Sequence, residues 1–334
     1  MTAARRAMLI GFVALLLIVG ATAWVHRALW GRRSIVVVDF EVEAGHSARQ
    51  ILDQLRAQRL IPSPLAARLY IRARARGRSM HYGRYRFTIG SRPVDVLEAI
   101  LDGRVKMFEV TVVEGSDAAT ISAVFTAAGV GSEDEWRRTF SHSEWVGQEV
   151  PGAPSLEGFL FPDTYRFAVG IEARFAAHHL VDRFLEVWRQ ERASAGPLWG
   201  TPLEVVTLAS LVEAETSVEA ERAVIAGVFV NRLRRGMLLQ CDPTVVYALK
   251  RRGEWTGRLL RVHWEVDDPY NTYRFPGLPP GPINSPGRSA LRAAAAPAAT
   301  NYLYFVAQPG GGHAFSATLA DHNRAVARLR AKRR

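Results

Sequence analysis

Leu203-Glu-Val-Val-Thr-Leu-Ala-Ser-Leu-Val-Glu-Ala-Glu-Thr216 leads through Val228-Phe-Val-Asn-Arg-Leu233 into Gly236-Met-Leu-Leu-Gln-Cys-Asp-Pro-Thr-Val-Val-Tyr247. At about 100° per residue, Val205, Leu208, Ala209, Leu211 and Val212 cover most of a helix circumference. Only a narrow stripe at Thr207, Ser210 and Ala214 stays polar or small, so the segment reads as a helix buried on nearly all sides. Glu213 then stands beside Val206 and Ala209, and Glu215 beside Leu208 and Glu204. A carboxyl group among apolar side chains is disfavoured in its charged form, which is how a protein makes a general acid at neutral pH. The plainer reading of the same residue is an ion-pair partner on a helix of a basic protein. Thr216-Ser217-Val218-Glu219 has capping-box spacing and predicts a second helix from Ser217 to Arg235, stopped at Gly236.

Downstream lie short polar and aromatic loops between proline-fixed turns: Gln240-Cys241-Asp242-Pro243-Thr244, Asp267-Asp268-Pro269-Tyr270-Asn271-Thr272-Tyr273 and Gly277-Leu-Pro-Pro-Gly-Pro-Ile283. Sugar rings stack on aromatic faces and present hydroxyls to amides and carboxylates, so this mixture suits a glycan groove; connecting turns with locally satisfied side chains are the alternative. Upstream, Ser155-Leu-Glu157-Gly-Phe-Leu-Phe-Pro-Asp-Thr-Tyr165 is an aromatic-rich loop with a carboxylate towards each end. It fits either recognition or packing under the domain.

Residues 7–25 form an uncharged apolar run long enough to cross a hydrocarbon core of about 30 Å, which predicts a transmembrane helix after a short tail of residues 1–6. The run exceeds a signal-peptide core and no Ala-x-Ala-like site follows it. Arginines flank it on both sides, so charge alone gives no orientation. Beyond a linker over residues 26–34, the remainder is long enough for about two domains. One cysteine, Cys241, excludes an internal disulfide and any cysteine-based zinc site. The net charge of +11 suits an anionic partner. The basic residues are dispersed, without an aromatic-interleaved stripe or a nucleic-acid-binding signature, so nucleic acid is not expected.

The order of elements after the anchor predicts an α+β protein. Ile35 to Val42 reads as a strand, Ser47 as the N-cap of a helix through Arg59, and Pro64 to Arg76 as a second helix. Tyr82 to Ile89 reads as a strand, Pro93 to Leu101 as a helix, and Met107 to Glu114 as a strand ending at Gly115-Ser116. A small α+β module over residues 35–108 thus precedes a larger mixed α+β domain over residues 109–334.

Several blocks together resemble the membrane-anchored endolytic murein transglycosylases, the YceG-like family. They are Leu208-Ala-Ser-Leu-Val-Glu-Ala-Glu-Thr216, Val228 to Leu233, Gly236 to Gln240 with Asp242-Pro-Thr-Val245, Tyr270-Asn-Thr-Tyr273, Gly277 to Ile283, and Tyr302-Leu-Tyr-Phe-Val306. His313 with Phe315-Ser316, His322-Asn323, Glu157 to Tyr165, and Glu114-Gly115 look like it too. The resemblance implies one inner-membrane helix, a LysM-like module and a catalytic domain on the outer side of the membrane.

It implies cleavage of the β-1,4 bond between N-acetylmuramic acid and N-acetylglucosamine within peptidoglycan strands, leaving 1,6-anhydromuramyl ends and limiting nascent strand length. Glu213 matches the family's catalytic glutamate. The sugar's own 6-hydroxyl is the nucleophile, so one carboxylate first protonates the leaving oxygen and then removes the hydroxyl proton. The substrate-binding residues expected around it are Glu157, Gln240, Asp242, Tyr270, Asn271, Thr272 and Tyr273. A hydrolase on the same bond would need a second carboxylate at about 5 to 10 Å, with Glu157, Glu215 and Asp242 as candidates. No cofactor or metal is expected, His313 and His322 being too far apart for a helical pair. The partners implied are glycan strands, the membrane, and penicillin-binding proteins or other wall synthases. A membrane-anchored scaffold with a structural glutamate is the non-enzymatic alternative. Cys241 departs from the threonine or serine usual in similar sequences.

Overall fold

The computed structural model describes residues 3–30, 38–43, 45–74, 78–87, 91–309 and 311–332. The chain forms two units, residues 1–108 with 166–170, and residues 109–165 with 171–334.

The first unit opens with helix α1, Ala3–Trp30. Its stretch Ile10–Trp30 is long and apolar enough to cross a membrane. Phe12, Leu16 and Ile18 stand exposed along it, unlike the side chains of a buried core helix, whereas Leu29 near its end is buried. Strand β1 (Val38–Val42) pairs antiparallel with β2 (Gly83–Phe87), Phe40 opposite Tyr85. Helices α2 (Ala48–Ala57), α3 (Pro64–Arg74) and α4 (Pro93–Leu101) bury Ile51, Leu55, Ala67, Leu97 and Ile100 in one core with Phe40 and Tyr85. Ser47 caps α2, as its sequence predicts, and does so through a capping box with Gln50. The predicted ends at residues 35–37, 75–76 and 88–89 lie outside the described residues.

Strand β3 (Met107–Thr111) pairs with β4 (Thr164–Ala168), and the chain passes between the units along these two strands. The predicted strand to Glu114 stops at Thr111 because a turn intervenes, closed by the Ser116 N–H on the Val113 carbonyl with Gly115 at a φ of 77°.

The second unit is mainly helical: α5 (Ala118–Ala127), α6 (Glu133–Phe140), α7 (Ala173–Ala195), α8 (Pro202–Glu215), α9 (Glu219–Arg234), α10 (Asp242–Arg252), α11 (Arg288–Ala295) and α12 (Leu319–Lys332). A hairpin of β5 (Tyr304–Ala307) and β6 (His313–Ser316) precedes α12. Helix α8 is the central rod. Every residue from Val205 to Val212 is buried, and Thr201 starts the helix through a capping box with Glu204.

Alanine-rich α11 packs against α7, α8 and α9, its small side chains permitting close approach. Arg288 and Arg292 tie it to the buried Glu191 of α7. On α9, Gly227 is required by crowding, since a β-carbon there would lie 2.4 Å from the Ala298 carbonyl oxygen. Helix α9 begins at Glu219, two residues after the predicted start. Val218 is its N-cap, and the Thr216 hydroxyl takes the Val218 N–H, so the expected capping box of Thr216 with Glu219 does not form.

Candidate active site

Glu213 lies in the last turn of α8, and Arg222 in the first turn of α9. An extended residue, Thr216, turns the chain back, so that α9 returns along α8 and the two side chains meet. The guanidinium donates twice, Nη1 to Oε2 at 2.8 Å and Nη2 to Oε1 at 2.9 Å. The Gly287 N–H, at the start of α11, donates to Oε2 at 2.9 Å. The side chains of Glu213 and Arg222 are 6% and 7% exposed. This corrects the expectation of an apolar surround: Glu213 is enclosed, but by a bidentate arginine and a backbone donor. Periodicity places Val206 and Ala209 beside Glu213 on α8, yet it is blind to what α9 brings across.

Two loops wall the carboxylate. The Gly115 N–H donates to the Ser285 carbonyl at 2.9 Å and the Ser285 N–H to the Ser116 carbonyl at 2.8 Å. The second loop is pinned to α8, where the Ile283 N–H donates to the Ser210 hydroxyl and the Asn284 amide to the Ser210 carbonyl. Beside them opens a cavity of about 440 Å³, lined by Gly115, Asp117, Ala214, Asp242, Tyr247 and Lys250 among others. Ala214 adjoins Glu213, and a β-carbon at Gly115 would sit 3.7 Å from Glu213 Cγ, so the carboxylate stands at the edge of this groove. A larger cavity of about 870 Å³, around Trp199, Asn231 and Arg234, has no carboxylate in its lining and so offers no acid for bond cleavage.

Asp242 heads α10 and is exposed; it accepts from the Tyr273 hydroxyl at 2.7 Å and from Trp264 Nε1 at 3.2 Å. The Trp264 and Tyr273 rings stack, 5.1 Å apart and 10° from parallel, giving a flat face held by one carboxylate. On the groove wall, Lys250 Nζ donates to Asp117 at 2.7 Å. Burial would raise the Asp117 carboxyl, but the Lys250 and Thr120 bonds outweigh it and hold the group low.

The remaining predicted residues separate into groove and scaffold. Asn271 is fully buried: its amide donates to the Trp264 and Val266 carbonyls and its Oδ1 accepts the Tyr273 N–H, so it shapes the loop that carries Tyr273. Thr272 is buried too, accepting the Cys241 N–H and meeting the Thr244 hydroxyl. Tyr270 packs on Tyr247 beneath the Arg251 guanidinium. Gln240 is exposed, at a φ of 50°. Glu157 is buried, accepting the Ala118 N–H at 3.0 Å and the Tyr247 hydroxyl at 3.1 Å; burial, and then the Asp117 charge, push its carboxyl up to about 8. The apolar residues of its loop, Phe159, Leu160 and Phe161, are core.

Glu215 hydrogen-bonds the Cys241 thiol and is raised by burial. His313 pairs with Glu221 at 2.7 Å, and His322 stacks on Tyr304.

Arg222, Glu114, Gly287, Lys250 and Trp264 are site neighbours to which the sequence assigned no role. Glu114 approaches Arg222 Nη2 at 4.0 Å, and a β-carbon on Gly287 would lie 1.9 Å from Glu114 Oε1. The one advance signal was Glu114-Gly115 recurring as a block of the resemblance.

The YceG-like family model matches residues 40–328. The endolytic murein transglycosylase of Bacillus subtilis (strain 168) is 31% identical over 315 residues, covering 87% of this chain and 84% of that protein. The enzyme of the same name from Streptococcus pneumoniae serotype 2 (strain D39 / NCTC 7466) is 35% identical over 182 residues, 52% of this chain and 32% of that protein. The crystal structure of a yceG-like protein from Listeria monocytogenes aligns with a TM-score of 0.56 at 28% identity, covering 88% of this chain and all of that one. With the family pattern spanning both units and a relative matched over most of its own length, the chain belongs to the YceG-like family.

Proposed function

We propose that this protein is an endolytic murein transglycosylase: a lyase that cuts the β-1,4 bond between N-acetylmuramic acid and N-acetylglucosamine inside peptidoglycan strands. The observation that carries the reading is Glu213, enclosed at the end of α8 beside a groove, within a chain of this family. Its carboxyl protonates the glycosidic oxygen as the bond to the muramic C1 breaks. The 6-hydroxyl of the same muramic residue then closes on C1, giving its proton back to the carboxylate and leaving a 1,6-anhydro end. Water takes no part, so one carboxylate serves both steps. Arg222 and the Gly287 N–H hold that carboxylate in place, and the Trp264–Tyr273 face, braced by Asp242, offers a stacking surface for a sugar ring.

Helix α1 serves as the single membrane anchor, with the catalytic unit outside the bacterial inner membrane, where its substrate lies. The small unit is the LysM-like module of the family, and wall synthases such as penicillin-binding proteins are the partners that this placement brings near. End-group mass spectrometry of glycan digested by the full chain in detergent tests the reaction. Anhydromuramyl ends are expected; reducing muramic ends alone would make the protein a hydrolase, with its second carboxylate to be sought among Glu157, Glu215 and Asp242.

A further inference from the structure

Resting on that reading, we propose that Glu114 is a positioning residue: it receives the Arg222 guanidinium when Glu213 exchanges its ion pair for the proton that it delivers. In the structure both Glu213 oxygens accept from the Arg222 guanidinium, so a leaving oxygen would have to be met by a carboxyl group already engaged by a cation. Simply withdrawing the proton acceptor's partner is costly, because Arg222 is almost wholly buried and would be left as an unpaired charge. Its Nε already has no hydrogen-bond partner.

Glu114 removes that cost. Its Oε2 lies 4.0 Å from Arg222 Nη2, which is 2.9 Å from Glu213 Oε1, so a shift of about 1 Å completes a new charge-assisted bond. The receiving group is held in place. The turn bearing it is fixed on one side by the Val112 N–H on the Asp163 carbonyl and on the other by the Gly115 N–H on Ser285, and its carboxylate occupies the space where Gly287 lacks a β-carbon. Glu114 is 52% exposed, so it can adjust as the guanidinium approaches.

The charges facing it are those of Glu213 on α8, and of Arg222 and Glu219 on α9; partial burial first, and the Glu213 charge second, place its carboxyl above the ordinary value. With Glu114 ionised, protonating Glu213 leaves a neutral Glu114–Arg222 pair. Without it, the same step strands a buried cation, which makes the exchange costlier.

The test is the pH dependence of kcat on uncross-linked glycan strands, using the full chain in detergent. Glu114→Gln is expected to move the alkaline limb to lower pH by about one unit with little change in KM. Glu114→Asp should restore the limb in part. Gly287→Ala, which keeps the backbone donor but displaces the Glu114 carboxylate, should shift it in the same direction as Glu114→Gln. A limb unmoved in folded Glu114→Gln overturns the proposal, and so does loss of turnover at every pH, since a positioning group cannot account for it. The underlying reading fails separately: it falls if Glu213→Gln still cuts glycan, whereas an inactive Glu213→Gln beside an unmoved limb removes only the role of Glu114.

Discussion

Glu213 and Arg222, nine residues apart on consecutive helices, face each other through two parallel N–H···O bonds of 2.8 and 2.9 Å, both side chains nearly sealed from solvent. Such a pair is stable only as a unit, because each charge is costly without the other.

Replacing Arg222 by Gln therefore strands the Glu213 carboxylate. Urea unfolding at neutral pH is expected to show a loss of about 3 kcal/mol. A loss well under ~1 kcal/mol would contradict the mutual dependence of the two charges.

Glu157 gives a stability signature of its own. Its folded-state carboxyl is raised from about 4.5 to about 8, so between those values the folded protein keeps a proton that the unfolded chain releases. The stabilisation is complete below the lower value and fades as pH rises through the upper one, by a few kcal/mol at most. Thermal melting should show this decline, and Glu157→Gln should flatten it.

The α9 crossing is tested at Gly227. Alanine there drives a methyl group into the Ala298 backbone carbonyl, which cannot yield as a side chain would. A destabilisation of about 2 kcal/mol is expected in denaturant titrations. A neutral effect would mean that the loop from Ala296 to Asn301 moves freely.

At the groove, Trp264→Ala removes the stacking face while leaving the Glu213 cluster intact. A several-fold rise in KM with kcat nearly unchanged is the expected outcome of steady-state kinetics on glycan strands. A fall in kcat at constant KM would remove Trp264 from substrate binding.

What could be read in the chain beforehand was what depends on near neighbours. Ser47 as a cap, the start of α4 at Pro93 and the all-round burial of α8 follow from local spacing, and each stands in the structure. The Thr216–Glu219 capping box fails because the link between α8 and α9 is shaped by the need to fold back, which leaves Thr216 extended and its hydroxyl on the Val218 N–H. Arg222 was invisible as a partner of Glu213 for the same reason: only the return of α9 brings it there. Asn271 and Thr272 read as polar loop residues available to a ligand, yet they spend their hydrogen bonds on the loop itself, a distinction that composition does not carry. Glu114 lies 99 positions before Glu213 in the chain, and the backbone hydrogen bonds between the Gly115 and Ser285 loops are what bring it in.

The central claim is that Glu213 carries the proton, and turnover of purified glycan strands by Glu213→Gln in the full-length protein tests it most directly. Loss of anhydromuramyl product with a melting temperature close to that of the unaltered protein is the predicted result; continued release of that product by the variant would contradict it.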